Sequence, residues 1–391
     1  MNGRYDVVVV GGRVAGASTA LLLARAGVKV VLVDRGRRGS DTVSTHGLMR
    51  AGVLQLLRWG VLPDVIAAGT PPVRHVIFHY ADGDPVRVTL RPSAGVDALY
   101  APRRHLIDRL LVDAAAAAGA EVLHETAATQ VLRDPTGRVS GVRALGRQGD
   151  TAELHASFTV GADGLRSTVA EGVAAPVVWQ GMTEGAVLYR YFGDLPAEGY
   201  EWAYGDRAAA GLIPTNDATC VFVATSPARL RQLRRDGSEQ AFSTVLASAA
   251  PTFVDRVAAA TPVSSLRGWA GARGFLRRCW GPGWALVGDA GYFKDPITTH
   301  GMSDAMRDAE LLADALLAAL SGSPEAATLA AYERTRDSLS SQLFAVTEAV
   351  AAFDWDLDRV RLLLREVSSA MADEVDHLQA LPERRTGATV S

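Results

Sequence analysis

Tyr5-Asp6-Val7-Val8-Val9-Val10-Gly11-Gly12-Arg13-Val14-Ala15-Gly16-Ala17, continued by Val30-Val31-Leu32-Val33-Asp34-Arg35, reads as strand, glycine turn, helix and strand. The unbroken β-branched run Val7–Val10 has the composition of a central parallel strand, buried on both faces. Ala17–Ala26 is rich in Ala and Leu and predicts a helix that Gly27 ends. The result is a βαβ unit whose ligand loop sits at the carboxyl end of its first strand. Gly11 can make the tight turn, and Gly16 can let the helix pack close. The free N–H groups of the helix start face an anion such as a pyrophosphate. Gly11, Gly12, Arg13, Ala15 and Gly16 are therefore the candidate phosphate loop. Arg13 stands where the usual pattern has its middle glycine. Either its side chain swings outward or Gly12 takes the close approach. Asp34 and Arg35 end the second strand, where a carboxylate accepts hydrogen bonds from an adenosine ribose.

Far along the chain a second stretch reads Gly288-Asp289-Ala290-Gly291-Tyr292-Phe293-Lys294-Asp295-Pro296-Ile297-Thr298-Thr299-His300-Gly301-Met302. It follows a predicted strand, Trp284–Val287. Gly288 permits close approach of backbone to a ligand, Asp289 can accept hydrogen bonds from polyol hydroxyls, and Pro296 stiffens the next turn. Gly301 and Met302 open a long helix, so their N–H groups are free donors. A helix start aimed at a reduced flavin stabilises its negative charge. The two stretches together describe the ends of one extended ligand, FAD, with adenosine at Asp34 and the ribityl chain and ring at residues 288–302. His300 precedes Gly301 and either orients a substrate or handles a proton, or is a loop histidine bonded to backbone. His46, in Ser44-Thr45-His46-Gly47, is a second candidate for the same pocket.

The composition narrows the classes. The 391 residues carry a net charge of -3 and no basic run, which argues against nucleic acid. Cys220 and Cys279 lie far apart without a metal-ligand pattern, and the eight histidines form no HExxH cluster, so neither a disulfide framework nor a metal is expected. No apolar run approaches the roughly 18 residues of a membrane helix. The short polar start before Val7 is no secretory leader, and a cytoplasmic location is expected.

The predicted fold class is α/β: a Rossmann-like FAD-binding domain (1–72, 93–174 and 282–325), an inserted antiparallel β-sheet substrate domain (73–92 and 175–281), and a C-terminal helical region (326–391). Residues 47–68 and Arg103–Ala118 read as helical. Residues 73–91 read as a strand pair about Asp82-Gly83. Leu339, Leu343, Val346, Val350 and Phe353 form an amphipathic stripe, read as packing on the cofactor domain in preference to a dimer seam. Monomer and homodimer both remain open. Arg384–Ser391 reads as frayed. Tyr189, Tyr191 and Trp202 lie on strands of the insert, as pocket lining or as plain core.

On these residues the chain resembles the p-hydroxybenzoate-hydroxylase-like, single-component FAD-dependent monooxygenases, over about residues 5–320. Gly11, Gly16 and Asp34 match the dinucleotide fingerprint. Arg104 with Ile107 and Leu111 resembles the family's arginine-led helix. Asp163-Gly164 with Ser167 resembles its DG motif, although Ala170 stands where an arginine is usual. Gly288, Asp289, Pro296, Gly301 and Ala305 match its GD motif. Arg50 resembles an arginine near the FAD phosphates. The resemblance implies NADPH or NADH as electron donor, O2, a flavin C4a-hydroperoxide, and hydroxylation or epoxidation of a small organic substrate, aromatic or a natural product. Two alternatives stay open. One is a flavin-dependent reductase of a double bond, since Tyr200-Glu201-Trp202 resembles the start of the prenyl-reductase motif, with Tyr204-Gly205 where phenylalanine-proline is usual. The other is a non-catalytic flavin sensor. A halogenase would need the WxWxIP signature and its accompanying lysine. The signature is missing, and Lys29 and Lys294 are the only lysines.

Overall fold

In the computed structural model, which describes residues 3–382, Val7–Val10 is fully buried at the centre of a parallel sheet. Strand Gly3–Val10 pairs on one side with Val30–Val33 and on the other with Thr151–Gly161. Glu121–Leu123 and Trp284–Leu286 extend the two sides, also in parallel. Because the order reverses direction about the first strand, its carboxyl end is a topological switch point, where open α/β sheets hold ligands. Strands Thr126–Arg133 and Val139–Gly146 complete this sheet as an antiparallel flap. Helix Gly301–Leu320 packs on helix Val14–Arg25 and on Arg50–Arg58. A Cβ on Gly16 would lie 1.8 Å from the Gly11 carbonyl oxygen, so only glycine allows the first helix to seat on the turn.

The expected helical stretch 47–68 is two helices, Arg50–Arg58 and Leu62–Ala67, because Gly60 adopts a left-handed conformation between them. A second sheet holds Ala186–Gly193, Ala218–Thr225, Ala208–Thr215 and Tyr200–Gly205 in antiparallel order. Hairpin His75–Tyr80/Val86–Thr89 joins its edge through one parallel pair with Tyr200–Gly205. Side chains alternate across these strands. Leu188, Phe192, Leu212, Val221 and Val223 face the helices within residues 227–259. Tyr189, Tyr191, Tyr200, Trp202, Tyr204 and Phe222 face the other way. A three-stranded sheet of Val177–Gln180, Phe275–Arg277 and Tyr292–Phe293 was not foreseen, since strands of two to four residues carry no readable period.

The C-terminal region corrects one expectation. Leu343, Val346, Val350 and Phe353 pack on the aromatic face of the second sheet, not on the cofactor domain, and Leu339 is half-buried. The reason is length. Helix Glu325–Ala351 has 27 residues and spans about 40 Å. Its first half, with Leu329 and Tyr332, belongs to the core of the parallel sheet, and its second half overshoots onto the insert. The chain then turns at Phe353, which is left-handed, and helix Leu357–Ala380 packs back, capped by Asp356 on the Arg359 N–H at 2.8 Å. The reading of Arg384–Ser391 lies outside the described residues. No helix among the described residues is long and apolar enough to cross a membrane.

Replacing Gly16 by Ala should force the first helix off its turn and cost about 1–3 kcal/mol, the usual penalty of overpacking. A fall in the thermal unfolding midpoint checks it; an unchanged midpoint would mean the helix has room to shift.

Candidate functional site

The first helix begins at Val14 with no side chain capping its N-terminus. Arg13 swings outward: its guanidinium lies 3.0 Å from Asp108 and 3.4 Å from the Ser40 carbonyl. Arg104 binds the same Asp108 carboxylate, at 3.2 Å through Nε. The Arg13 departure therefore leaves the helix start clear of side chain. Asp34 accepts from Gly12 N at 2.5 Å and Gly36 N at 2.6 Å. Each carboxylate oxygen keeps lone-pair capacity for a ribose hydroxyl. Arg35 is exposed.

Gly288 joins the two distant stretches. It is left-handed, and a Cβ on it would lie 2.8 Å from the Ala15 Cβ and 3.5 Å from the Ala305 Cβ. Asp289 is next. Burial pushes its carboxyl up to about 6, against the pull of Arg104 and Lys294. Among the described residues no donor bonds to it. Asp295 precedes Pro296, is buried, and accepts from Gly185 N at 2.6 Å and Ile297 N at 2.9 Å; burial pushes it up to about 7. It ties this loop to the first strand of the insert. At the start of helix Gly301–Leu320 no side chain caps the N-terminus, and the first intrahelical bond runs from Asp304 N to the His300 carbonyl, at 3.0 Å. The N–H groups of Gly301 and Met302 precede it, and Gly301 is exposed with open space beside it. Two uncapped helix starts, one unpartnered carboxylate and a close glycine contact between them fit FAD: pyrophosphate, ribityl chain and an electron-rich ring.

Two candidates point elsewhere. Arg50 donates to the carbonyls of Arg91 (2.8 Å), Val96 (3.0 Å) and Ser93 (3.4 Å), and so shapes the loop before residue 97. Asp163 accepts from Ser167 Oγ (2.5 Å) and Thr168 N (2.7 Å), capping the short helix that follows.

His46, Tyr189 and Tyr191 do come together. His46 is buried and left-handed, with Nε2 2.6 Å from the Tyr191 hydroxyl and its ring stacked on that tyrosine at 5.5 Å. The Tyr189 hydroxyl accepts from Ser44 N at 3.1 Å. Burial, with Arg103 and Arg104 nearby, drops His46 to about 3, and burial pushes Tyr191 up, so both are neutral at ordinary pH. The Arg103 guanidinium lies 3.6 Å over the Tyr191 ring. Trp202 packs between Tyr200 and Phe222. Tyr200, not Trp202, reaches the loops, since Gly47 lies against Thr299 and Tyr200. Arg103 was missed because it belongs to no spaced motif, and Tyr200 reads in the sequence only as the start of a reductase-like motif, with Trp202 as the candidate lining residue.

His300 is buried and turned inward. Its Nε2 pairs with Glu374 from the C-terminal helix. Arg307, fully buried, donates to Asp308 (2.7 Å), Ser340 (2.8 Å), Asp304 and Glu374 (both 3.2 Å). Lys294 pairs with Asp304. Burial lowers Lys294 to about 7. Burial alone would raise Glu374, but His300 and Arg307 hold it down at about 2. His300, Asp304 and Glu374 bring donor atoms within 4.8 Å of one another. A divalent ion there would have to displace Lys294 and Arg307, so the group is a closed ion cluster. The cluster was missed; the available signal was that Asp304, Arg307 and Asp308 share one face of their helix.

The family described as "FAD binding domain" matches residues 4–347. Among curated proteins, the chain is 29% identical over 367 residues to a digeranylgeranylglycerophospholipid reductase of Methanothrix thermoacetophila, covering 87% of this chain and 85% of that protein. It is 27% identical to the protein of the same name from Methanosarcina mazei, covering 97% and 93%. Among solved structures, the myxobacterial chondrochloren halogenase CndH superposes with a TM-score of 0.79 at 22% identity, covering 97% of this chain and 91% of that one. PqsL of P. aeruginosa, in complex with 2-aminobenzoylacetate, gives 0.76 at 23%, covering 95% and 100%. At such identities these structures show the fold alone.

Asp289 and Asp295 are raised, the reverse of the usual carboxylate. Their folded-state affinity for protons exceeds the unfolded one, so stability is greatest below the unfolded value and declines as pH rises through about 6 and about 7. Asp289→Asn should flatten the lower part of this decline in ligand-free protein and weaken FAD retention. Unfolding midpoints between pH 4 and 8, with FAD titrations, check both.

Proposed function

Because the chain belongs to the FAD binding domain family, we propose that its oxidoreductase chemistry is the reduction of carbon–carbon double bonds in an isoprenoid-like substrate. One observation carries the reading. Tyr200, Trp202 and Tyr204 lie side by side on one buried face of the insert, with Tyr191 and Phe222, beside the loops that carry His46 and Thr299. The C-terminal helices cover the Trp202 and Tyr204 part of this face, and the part next to the loops, at Tyr191 and Tyr200, is the apolar wall proposed to meet a hydrocarbon chain. Whole-length relatives named as reductases support the same reading.

Bound FAD supplies the two-electron chemistry, and saturating an alkene adds one proton besides. Val14–Gly16 would hold the pyrophosphate, Asp34 the ribose, Asp289 the ribityl hydroxyls, and the N–H groups of Gly301 and Met302 the ring. With His46 in its Nε2–H tautomer, that N–H donates to the Tyr191 oxygen and the Tyr191 hydroxyl hydrogen is the proton offered to the substrate. The N–H bond then stabilises the phenolate, which recovers a proton from water before the next turnover. The proposed electron donor is NADPH or NADH. Lysine placement speaks against a halogenase, since Lys294 is spent on Asp304 and Lys29 lies over Tyr5. A second reading, the p-hydroxybenzoate-hydroxylase-like monooxygenase, is favoured by Tyr204-Gly205 in place of phenylalanine-proline.

The test is anaerobic. FAD-loaded protein, reduced with dithionite and given geranylgeraniol or a geranylgeranyl glyceryl ether, should yield product with added hydrogen by mass spectrometry. Tyr191→Phe should slow the reaction about 10²-fold or more. Incorporation of labelled O2 during aerobic NAD(P)H turnover, with no anaerobic product, would instead establish the second reading.

A further inference from the structure

We infer that Glu374 is a positioning residue for the flavin site, fixing the His300 imidazole behind the helix start that would receive the ring and setting the charge there. The inference rests on the FAD reading above and reaches beyond the span matched by the family, which ends at residue 347. Asp358, Glu366, Asp373 and Asp376 on the same C-terminal helix are exposed, whereas Glu374 is 2% exposed. Burying one carboxylate of five needs a reason. Stability alone is a poor one, because a buried ion cluster can often be replaced by apolar packing at no loss.

The geometry supplies another reason. A carboxylate only accepts, so His300 Nε2 must carry the hydrogen it gives to Glu374. That fixes the tautomer and leaves Nδ1 as the open position of a ring that is 1% exposed, and among the described residues Nδ1 has no hydrogen-bond partner. His300 is the residue immediately before the free N–H groups of Gly301 and Met302. Glu374 thus decides what the imidazole can do at that end of the helix. It also sets the charge balance. Arg307 and Lys294, the latter lowered to about 7 by burial, face Asp304, Asp308 and Glu374, at most two cations against three carboxylates, with neutral His300 among them. Asp289, His377 and Tyr292 are the other titratable groups in electrostatic reach. Neutralising Glu374 would remove the excess negative charge and favour the more electron-rich, reduced cofactor. It would also weaken proton binding by His300, since the carboxylate is what favours the imidazolium.

The experiment uses the full chain loaded with FAD and measures its reduction midpoint by dye equilibration across pH 5–9. Glu374→Gln keeps the shape of the side chain. Its midpoint should move positive by at least a tenfold shift in the reduced-to-oxidised ratio, about 30 mV for a two-electron couple. Any break in the pH profile that belongs to His300 should move to lower pH. Glu374→Asp should restore the wild-type direction. If Glu374→Gln does not fold, His300→Asn serves: loss of the break supports the inference, and an unchanged profile overturns it. A Glu374→Gln protein that holds FAD with wild-type midpoint and profile overturns the inference alone. A wild-type chain that holds no FAD overturns the reading beneath it as well.

Discussion

Gly288 against Ala15 is the contact on which the remainder depends. Two helix starts must point at one ligand, and they belong to segments at opposite ends of the parallel sheet's sequence. Strand pairing brings the segments near, through Thr151–Gly161 between them. The final approach is made by small side chains, with Ala15 and Ala305 flanking a glycine that has no Cβ to obstruct them. Gly16 on Gly11 repeats the device one turn away. A methyl group at either place would separate the donors meant for the pyrophosphate from those meant for the ring. Close packing of this kind tolerates little adjustment.

Behind that contact lies a layer of charge. Arg104 and Arg13 share Asp108 at the adenosine end, and Arg307 gathers Asp304, Asp308 and Glu374 at the ring end. The charges in both groups are paired with one another, which leaves backbone N–H groups as the donors proposed to meet the ligand's anionic parts. Those donors are fixed by helix geometry and need no reorganisation when charge develops. Asp289 stands apart as an acceptor to which no donor among the described residues bonds.

The sequence was most legible where one residue type has one physical use. Val7–Val10, Gly11, Gly16, Asp34, Gly288 and Gly301 are read from strand, turn, close approach and helix start; in the structure Gly16 packs on Gly11, Gly288 on Ala15, Asp34 accepts from Gly12, and Gly301 opens a helix. The α/β fold with its inserted sheet followed from the same spacing rules. Legibility failed where a partner lies far away and carries no pattern of its own. Arg50 and Asp163 resembled ligand contacts, but Arg50 donates to backbone carbonyls and Asp163 accepts from the Ser167 hydroxyl and the Thr168 N–H, which is the commoner fate of a loop-side polar group. The stripe from Leu339 to Phe353 announced a buried face without naming what it buries. His300 was noticed, yet Glu374 was not, because one carboxylate among five on a surface helix has no local mark.

The arrangement also bears on how the chain is made. The first helix, Val14–Arg25, packs on Arg104–Ala117 but also on the distant Gly301–Leu320, and much of the cover on the aromatic face of the insert comes from residues after 340. A ribosome releasing this chain would expose one side of that helix, with Tyr189 and Tyr191, long before those neighbours emerge. Contacts so distant in sequence close slowly, and uncovered strands are open to association in the interval. Closure of both cores therefore waits on helices that lie after residue 300.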